Sequence, residues 1–326
     1  MRTLVTGGAG FIGSHLTEHL LRAGDEVVVL DDLSTGREAN LDAMSDHPGL
    51  RLVVGSVCDR EIVDRCVRGV DRVFHAAASV GVLKILEKPL QSLRTNVHGT
   101  EIVLQAALEH GVPILITSTS EVYGKNSRIG LREDDDRVLG SPLKSRWSYA
   151  EAKAVAESMT HGYTTEHGLT AVIVRLFNTV GPRQAGQYGM VVPRFVEQAL
   201  AGRPLTVYGD GHQIRCFCHV LDVVPAMVAL LEDERAHGDV FNLGGTEQVS
   251  IGGLAERVIA VTGSTSDIVH LSYEQAYGEG FEDMRRRVPD STKALERVGF
   301  RPRRDLDDVI AAVAAHSKQR REVEHA

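Results

Sequence analysis

Residues 6–13 read Thr6-Gly7-Gly8-Ala9-Gly10-Phe11-Ile12-Gly13, and this segment decides the fold of the 326-residue chain. A short apolar run over residues 3–6 leads into it, and a stretch with helical periodicity follows it. Glycines in this pattern allow a tight turn, a close approach of the backbone to a pyrophosphate and close packing of the helix on a sheet. The helix N-terminus then faces the phosphates, which predicts a dinucleotide site. The predicted cofactor residues of this segment are Gly7, Gly10, Phe11, Ile12 and Gly13.

An acidic residue follows the second predicted strand, which covers residues 27–30. Asp31 stands at the spacing from the glycine segment at which a carboxylate can accept hydrogen bonds from both ribose hydroxyls. The same carboxylate would repel a 2′-phosphate, so the sequence predicts NAD rather than NADP as the cofactor. We interpret the neighbouring Asp32 as a turn or cap residue.

Apolar runs alternate with helical periodicity along the first half of the chain, which predicts an α/β fold with a Rossmann-like, doubly wound parallel sheet. The predicted strands cover residues 3–6, 27–30, 52–54, 72–75, 114–118 and 171–176. After this point the pattern loosens, so we expect an NAD-binding domain over residues 1–176 and a smaller C-terminal substrate lobe over residues 177–326. A strand-like run at 240–243 is expected to return to the main sheet near residues 239–245, which would interleave the two parts.

Composition excludes several classes of protein. A formal net charge of −8 at pH 7 argues against a nucleic-acid partner, because such proteins usually carry a clustered basic face. No apolar run approaches the roughly 20 residues of a membrane helix, and the early glycine segment leaves no room for a signal peptide. We therefore expect a cytoplasmic protein without a membrane partner. Zinc-type spacing is missing among the cysteines, so we expect free thiols and no metal at Cys58, Cys66, Cys216 and Cys218.

A tyrosine and a lysine lie one helical turn apart in the segment Trp147-Ser148-Tyr149-Ala150-Glu151-Ala152-Lys153. Both side chains project from one helix face. We expect the Lys153 ammonium to lower the pKa of the Tyr149 phenol, so that the phenolate can accept a proton from a sugar hydroxyl while hydride leaves the same carbon. Lys153 can also hold the nicotinamide ribose. The alternative interpretation is an ordinary surface tyrosine.

Hydroxyl groups and a carboxylate follow the fifth predicted strand, in Thr117-Ser118-Thr119-Ser120-Glu121-Val122-Tyr123-Gly124. The carboxyl ends of parallel strands are where ligands bind in such sheets. We therefore predict that Thr119, Ser120 and Glu121 take part in catalysis. The alternative is a hydroxyl-rich loop in which Glu121 serves as a solvated or helix-capping acid.

These segments, together with His75-Ala76-Ala77-Ala78, resemble those of the extended short-chain dehydrogenase/reductase superfamily, in particular its NAD-dependent nucleotide-sugar epimerases, dehydratases and decarboxylases. The resemblance covers nearly the whole chain. It implies that NAD is the cofactor, that Ala76 contacts it and that a UDP-sugar is the substrate. It also implies a homodimer that pairs through helices over residues 90–110 and 147–166.

The same resemblance extends through the second half of the chain and implies a set of substrate contacts. The turn at Val191 and Val192 would contact the sugar nucleotide, a strand over residues 205–208 would flank uracil, and two arginines would hold the pyrophosphate. Arginines suit that position because they form charge-assisted hydrogen bonds with a diphosphate. A solvated charge run is the alternative for Arg287. With Lys84 as a candidate cation for a substrate carboxylate, the implied residues are Lys84, Asn178, Val192, Val207, Tyr208, Arg215 and Arg287.

The triplet Thr119-Ser120-Glu121 resembles that of the UDP-glucuronate decarboxylases. Dehydratases of the superfamily typically have aspartate at the second position, so Ser120 lacks the acid that water elimination needs. Oxidation of the 4-hydroxyl of a glucuronate gives a β-keto acid, which loses carbon dioxide readily. Glu121 would destabilise the substrate carboxylate or, if protonated, relay a proton, and Thr119 and Ser120 would hydrogen-bond the enolate oxygen. We expect a UDP-glucuronate decarboxylase that forms UDP-xylose, the UDP-4-keto-pentose or both.

Two alternatives stay open. A UDP-sugar 4-epimerase, acting on UDP-glucuronate or UDP-glucose, would share every step up to the 4-ketone, and residues 179–184 are epimerase-like. A uronate epimerase must hold the carboxylate, which usually requires a cation. The other alternative is a non-catalytic NAD-binding scaffold, against which the intact Tyr149 and Lys153 argue.

Overall fold

The computed structural model describes residues 1–81, 88–186, 190–277 and 282–324. In chain order its strands are β1 (Arg2–Thr6), β2 (Glu26–Asp31), β3 (Leu50–Val54), β4 (Arg72–His75), β5 (Ile114–Thr119), β6 (Ala171–Leu176), β7 (Thr179–Val180), β8 (Leu205–Tyr208), β9 (Ile214–Cys216), β10 (Cys218–His219), β11 (Val240–Leu243), β12 (Gln248–Ser250), β13 (Ile268–Leu271) and β14 (Arg286–Arg287). Its helices are Phe11–Arg22, Arg60–Val67, Pro89–Leu93, Thr100–Glu109, Ser148–His167, Val191–Leu200, Val220–Glu232, Ile251–Thr262, Tyr273–Tyr277, Thr292–Val298 and Leu306–Glu324. A π-helical segment, Arg94–Gly99, joins the third helix to the fourth.

Seven strands of the described chain form one parallel sheet in the order β11-β6-β5-β4-β1-β2-β3. The six strands predicted in the first half all occur there, so the predicted doubly wound α/β fold is confirmed. The strand predicted late in the chain is β11, which pairs with β6 at the edge of the sheet. Because the strands run parallel, their carboxyl ends meet at one edge, where the predicted functional segments lie.

Both faces of this sheet are covered, which explains why its strands are nearly continuous apolar runs. Successive side chains of a strand point to opposite faces. Along β2, Val27 and Val29 pack into one buried apolar cluster, whereas Val28 and Leu30 pack into another. The two layers of helices therefore bury separate cores on the two sides of the sheet.

Later elements form a third core and several short strand pairs. β8 pairs with β13, and β9 pairs with both β12 and β14. The helices Val191–Leu200, Ile251–Thr262 and Leu306–Glu324 contribute the buried side chains of this core. The division into domains at residue 176 stays a prediction. Within the described ranges, each helix is too short or too polar to cross a bilayer.

The return strand gives a test of the fold. Phe241 in β11 is fully buried in the first core, and the Lys293 ammonium lies 4.9 Å from its ring centroid. We expect Phe241→Ala to lower the free energy of unfolding by about 3–5 kcal/mol, because a large cavity opens in a core that the edge strand closes. Denaturant unfolding followed by circular dichroism measures this change.

Val269→Ala is the matched control, since Val269 lies in β13 and is 37% exposed. This substitution should change the free energy of unfolding by about 0.5 kcal/mol or less. Equal losses in the two variants would show that β11 is not part of the main core.

Candidate active site

The glycine segment forms a tight turn that has no room for a Cβ atom at two of its positions. Gly7 has a φ of +71°, and a Cβ atom there would lie 2.6 Å from the backbone nitrogen of Ala77. A Cβ atom at Gly13 would lie 2.0 Å from the carbonyl oxygen of Gly7. The turn therefore needs glycine at both positions, because backbone atoms cannot move aside as a flexible side chain can.

A narrow cavity of about 150 Å³ opens beside this turn and runs into a larger cleft of about 790 Å³. The narrow cavity is lined by seven of the predicted cofactor residues, namely Gly7, Gly10, Phe11, Ile12, Gly13, Asp31 and Ala76. Gly10 begins the helix Phe11–Arg22 without a side-chain cap, so the first amides of the helix face the cavity. A cradle of bare backbone at a helix N-terminus fits a dinucleotide pyrophosphate.

Asp31 lines the narrow cavity. Its carboxylate accepts hydrogen bonds from the backbone N–H groups of Ala9 at 3.0 Å and Leu33 at 2.9 Å. Burial raises the pKa of Asp31, and these hydrogen bonds partly offset that effect. Asp32 accepts from the N–H of Ser34, as expected of a turn residue.

The predicted pair Tyr149 and Lys153 lies on the helix Ser148–His167, above the carboxyl end of β5. Tyr149 lines the larger cleft. Lys153 is 1% exposed, and its Nζ donates a hydrogen bond to the carbonyl oxygen of Thr117 at 2.8 Å. Burial lowers the pKa of Lys153 to about 8, while the negative charge of Glu157 acts in the opposite direction.

The expected lowering of the Tyr149 pKa is wrong for this structure. Burial raises the pKa of Tyr149 above its ordinary value, and the negative charge of Glu121 raises it further. Burial removes the phenol from water and so disfavours the charged phenolate. The sequence alone did not indicate that Tyr149 would be buried. Tyr149 is therefore a neutral phenol at neutral pH in this state of the protein. The alternative of a surface tyrosine is also wrong, because the side chain is buried.

Glu121, in the segment after β5 that was predicted to be catalytic, lies between two arginines. Its carboxylate accepts hydrogen bonds from both terminal nitrogens of Arg146 and, at 2.8 Å, from Nη1 of Arg287. Burial alone would raise the pKa of Glu121, but the charges of Arg146 and Arg287 outweigh burial and lower the pKa to about 2. Glu121 is therefore ionised throughout the physiological range, and the structure contradicts its suggested role as a protonated relay.

The loop itself is a single 3₁₀ turn, Ser120–Tyr123. Thr119 caps it, because its hydroxyl accepts a hydrogen bond from the N–H of Glu121 at 3.2 Å. The alternative assignment of Glu121 as the capping acid is therefore wrong. Thr119, Ser120 and Glu121 all line the larger cleft, as predicted for a group that acts together.

The two arginines predicted to hold a pyrophosphate both line the larger cleft, but neither is free. Arg287 contacts Glu121 and lies 3.4 Å from the hydroxyl of Ser120, so the alternative of a solvated charge run is wrong. Arg215 donates to both carboxylate oxygens of Asp283, each at 3.1 Å. In this structure Glu121 and Asp283 occupy the positions where an anionic ligand would meet these guanidinium groups.

Arg146 is a feature of the site that the sequence analysis missed. It lies three residues before Tyr149, it is buried, and it lines the cleft. Besides its hydrogen bonds to Glu121, it lies 3.9 Å from Asp283 and over the ring of Trp147. Its spacing from Tyr149 places both on one side of a helical turn, and that spacing was the available signal.

The remaining predicted substrate residues are divided between the cleft and the core. Asn178, Val192 and Tyr208 line the cleft. The side chain of Val207 is fully buried in the third core, and Val207 is not among the residues that line the cleft, so its role as a contact residue stays a prediction. Alternation along β8 explains this difference, because adjacent residues of a strand point to opposite faces. Lys84 lies outside the described residues.

Comparison with known proteins agrees with this geometry. The chain matches the model of the NAD dependent epimerase/dehydratase family over residues 3–244. It is 42% identical over 302 residues to a UDP-N-acetyl-alpha-D-glucosaminuronate decarboxylase of Bacillus cytotoxicus, a match that covers 92% of each chain. It is 35% identical to UDP-glucuronic acid decarboxylase 1 of Xenopus tropicalis, over 99% of this chain and 73% of that protein. The solved structure of a UDP-glucose 4-epimerase of Thermotoga maritima with UDP-glucose superposes with a TM-score of 0.87 at 30% identity, covering 98% and 99% of the two chains.

A pair of glycine substitutions tests the cofactor turn. Gly13→Ala should weaken NAD binding at least about tenfold, because the added methyl group collides with the Gly7 carbonyl and displaces the turn from the pyrophosphate. Gly162→Ala is the matched control, since Gly162 is also helical and a Cβ atom there meets nothing within 4 Å. That variant should keep its NAD affinity and gain about 0.5–1 kcal/mol of stability. Calorimetric titration with NAD measures the affinities, and an unchanged affinity in Gly13→Ala would contradict the assignment of the turn.

Proposed function

Because this chain belongs to the NAD-dependent epimerase/dehydratase family, we propose that it is a decarboxylase of UDP-glucuronate that works through oxidation of the sugar at C4. The family is the nucleotide-sugar branch of the extended short-chain dehydrogenases that the sequence predicted, so that prediction and NAD as the cofactor are confirmed. The observation that carries the proposal is the ionised Glu121 held between Arg146 and Arg287, in the cleft that Tyr149 also lines. The likeness to two decarboxylases supports it.

In the first step Tyr149, as its phenolate, accepts the proton of the 4-hydroxyl. NAD, held by the glycine turn and Asp31, would supply the redox chemistry as the acceptor and later the donor of the C4 hydride. Because burial raises the pKa of Tyr149, the phenol depends on nearby positive charge to act as a base. Lys153, one turn along the helix, is the chain's own source of that charge.

The second step breaks the bond between C5 and the carboxyl carbon. Carbon dioxide leaves, and the electron pair moves into the 4-ketone to form an enolate. The hydroxyls of Thr119 and Ser120 line the cleft, where they can donate hydrogen bonds to the enolate oxygen. A proton from water then replaces the carboxyl group at C5. Return of the hydride to C4, with the proton of Tyr149 returning to the 4-oxygen, would give the UDP-pentose, and release before that step would give the 4-keto sugar.

A UDP-sugar 4-epimerase is the second candidate, and one observation favours it. A uronate epimerase needs a cation to hold the carboxylate, and Arg146 is a buried cation in the cleft that the sequence analysis did not identify. The similarity to a UDP-glucose 4-epimerase supports the same alternative. Against it, Glu121 already offsets the charge of Arg146.

A homodimer and a cytoplasmic location belong to the same proposal. The helices Pro89–Leu93 and Ser148–His167 expose apolar side chains, with Leu90 73% and Val155 45% exposed. A second copy that pairs through these two helices would cover both side chains. The separate substrate lobe over residues 177–326 is likewise part of this proposal.

The deciding assay incubates the protein with NAD and either UDP-glucuronate or its 2-acetamido counterpart. Carbon dioxide release and the proton NMR spectrum of the product are followed together. We expect carbon dioxide and a UDP-pentose or its 4-keto form. A UDP-galacturonate product without carbon dioxide would identify a 4-epimerase instead, and turnover of the 2-acetamido sugar alone would change the substrate but not the reaction.

Tyr149→Phe should reduce turnover by about 10²–10⁴-fold, because it removes the acid–base group and leaves the cleft intact. NAD affinity should stay within about threefold of the parent value if the phenol acts on the substrate. Tyr163→Phe, on the same helix but away from the cleft, is the control and should keep full activity. Normal turnover in Tyr149→Phe would remove Tyr149 from the mechanism.

Glu121→Gln separates decarboxylation from oxidation. We expect carbon dioxide release to slow by about 10–10³-fold, because the two arginines lose the carboxylate that places them. Hydride transfer at C4, measured by the absorbance of the reduced nicotinamide in a single turnover, should persist, because Tyr149 and Lys153 are retained and the loss of the Glu121 charge removes one cause of the raised Tyr149 pKa. Glu101→Gln is the control, because the Glu101 side chain is 42% exposed and does not line the cleft. Equal slowing of both steps would contradict a role specific to decarboxylation.

A further inference from the structure

A carboxylate lies one helical turn beyond Lys153 and is not part of the cleft. Glu157 follows Lys153 by four residues in the helix Ser148–His167, so both side chains lie on one face of that helix. Its carboxylate accepts hydrogen bonds from the hydroxyl of Ser118 and from Arg175, whose Nε and Nη2 lie 2.9 and 2.7 Å from its two oxygens. Glu157 and Arg175 are both largely buried.

The sheet register makes this arrangement specific. Ser118 in β5 is the direct cross-strand partner of Arg175 in β6, and Arg175 is in turn the partner of Asn242 in β11. Lys153 donates to the carbonyl oxygen of Thr117, the residue immediately before Ser118. Two successive residues of β5 therefore hold two successive turns of the helix, one through Lys153 and one through Glu157.

Arg175 is fixed on its other side as well. Its Nη1 donates to the hydroxyl of Tyr123 and to the carbonyl oxygen of Glu133, both at 2.8 Å. The Tyr123 hydroxyl donates to Asn242 at 2.8 Å. Since Tyr123 ends the 3₁₀ turn that carries Glu121, the network joins the back of the catalytic helix to the catalytic loop. The Glu157 carboxylate therefore has a rigid position.

Within the described part of the chain, few other charges reach Lys153. From β4, His75 faces it, but burial lowers the pKa of His75 to about 3, so this ring is neutral. Two threonine hydroxyls, from Thr6 and Thr100, hydrogen-bond the ring. Tyr149, one turn back, is neutral, and the positive charge of Arg175 lies on the far side of Glu157. Among the described groups, Glu157 is the carboxylate that offsets the cost of burying the Lys153 ammonium.

We propose that Glu157, fixed by Arg175 and Ser118, is a positioning residue that keeps Lys153 protonated and seated against β5 at neutral pH. The proposal rests on the proposed role of Tyr149 and Lys153 in oxidation at C4, a step that the decarboxylase and the 4-epimerase share. Glu157 does not line the cleft, so it acts only through Lys153. Glu157 affects the protonation of the Lys153 ammonium, whereas Glu121 would act on the sugar.

The test measures the protonation of Lys153 directly, in the whole protein without substrate. Competitive acylation with acetic anhydride over a range of pH, read by mass spectrometry, gives the pH at which Lys153 becomes half reactive. The exposed Lys318 serves as internal reference. In Glu157→Gln this midpoint should fall by about one pH unit, because the neighbouring negative charge is lost. The alkaline limb of the pH–activity profile should move down by the same amount.

Arg175→Met is the matched control. It breaks the same ion pair but leaves the Glu157 charge, so the midpoint for Lys153 should stay at the parent value or rise. Loosened packing would admit water and raise the midpoint in both variants, because burial is the main cause of the low Lys153 pKa. Equal shifts in the two variants, or no downward shift in Glu157→Gln, would therefore overturn the proposal.

A double variant protects the test against misfolding. Glu157→Gln combined with Arg175→Met replaces the buried pair by neutral side chains, which proteins tolerate better than one unpaired charge. If circular dichroism shows that Glu157→Gln alone is unfolded, the double variant should give the lowered midpoint, and a parent-like midpoint would overturn the proposal. Because acylation needs no substrate, a failed carbon dioxide assay with a shifted midpoint would reject the decarboxylase and keep the role of Glu157.

Discussion

The hydrogen bond from Lys153 Nζ to the Thr117 carbonyl oxygen ties the helix Ser148–His167 to the centre of the sheet. A buried ammonium requires acceptors, so this contact sets the rotation of the helix about its own axis. Tyr149, one turn earlier, then faces the cleft, and Glu157, one turn later, meets β5 and β6. Both the acid–base group and the polar network behind it take their positions from this contact.

Ion pairs within the protein hold three arginines of the cleft. The guanidinium groups of Arg146 and Arg215, which are buried, and of Arg287, which is 11% exposed, face the carboxylates of Glu121 and Asp283, so these five groups together carry one net positive charge. Buried charges are costly unless they are paired, so the carboxylates stabilise the free protein. In the proposed reaction, a diphosphate and a uronate would exchange partners with them. The affinity for the substrate would then depend on how much stronger the ion pairs between substrate and arginines are than the ion pairs of Glu121 and Asp283 that they replace.

Short-range patterns in the sequence predicted the strands, the glycine turn and the spacing of Tyr149 and Lys153, because each depends on residues close together in the chain. The ion pairs were not predictable in that way. Arg287 and Glu121 lie 166 residues apart, and neither neighbourhood indicates the partner. The direction of the Tyr149 pKa shift was missed for the same reason, since burial is a property of the assembled site. Of the two adjacent residues that the resemblance implied for β8, Tyr208 lines the cleft and the side chain of Val207 faces the core, a difference that follows from strand alternation.

The return of β11 to the edge of the main sheet has a consequence for how the chain is made. β6 ends at residue 176, but its outer hydrogen-bonding edge stays open until residues 240–243 have been synthesised. An unpaired strand edge can form backbone hydrogen bonds with strands of other chains. The apolar side chains of such a strand also promote aggregation until they are buried. At about 5–20 residues per second, the ribosome leaves this edge exposed for several seconds. The intervening elements, including the helix Val220–Glu232 that packs into the first core, are therefore in a position to shield the growing sheet before its last strand arrives.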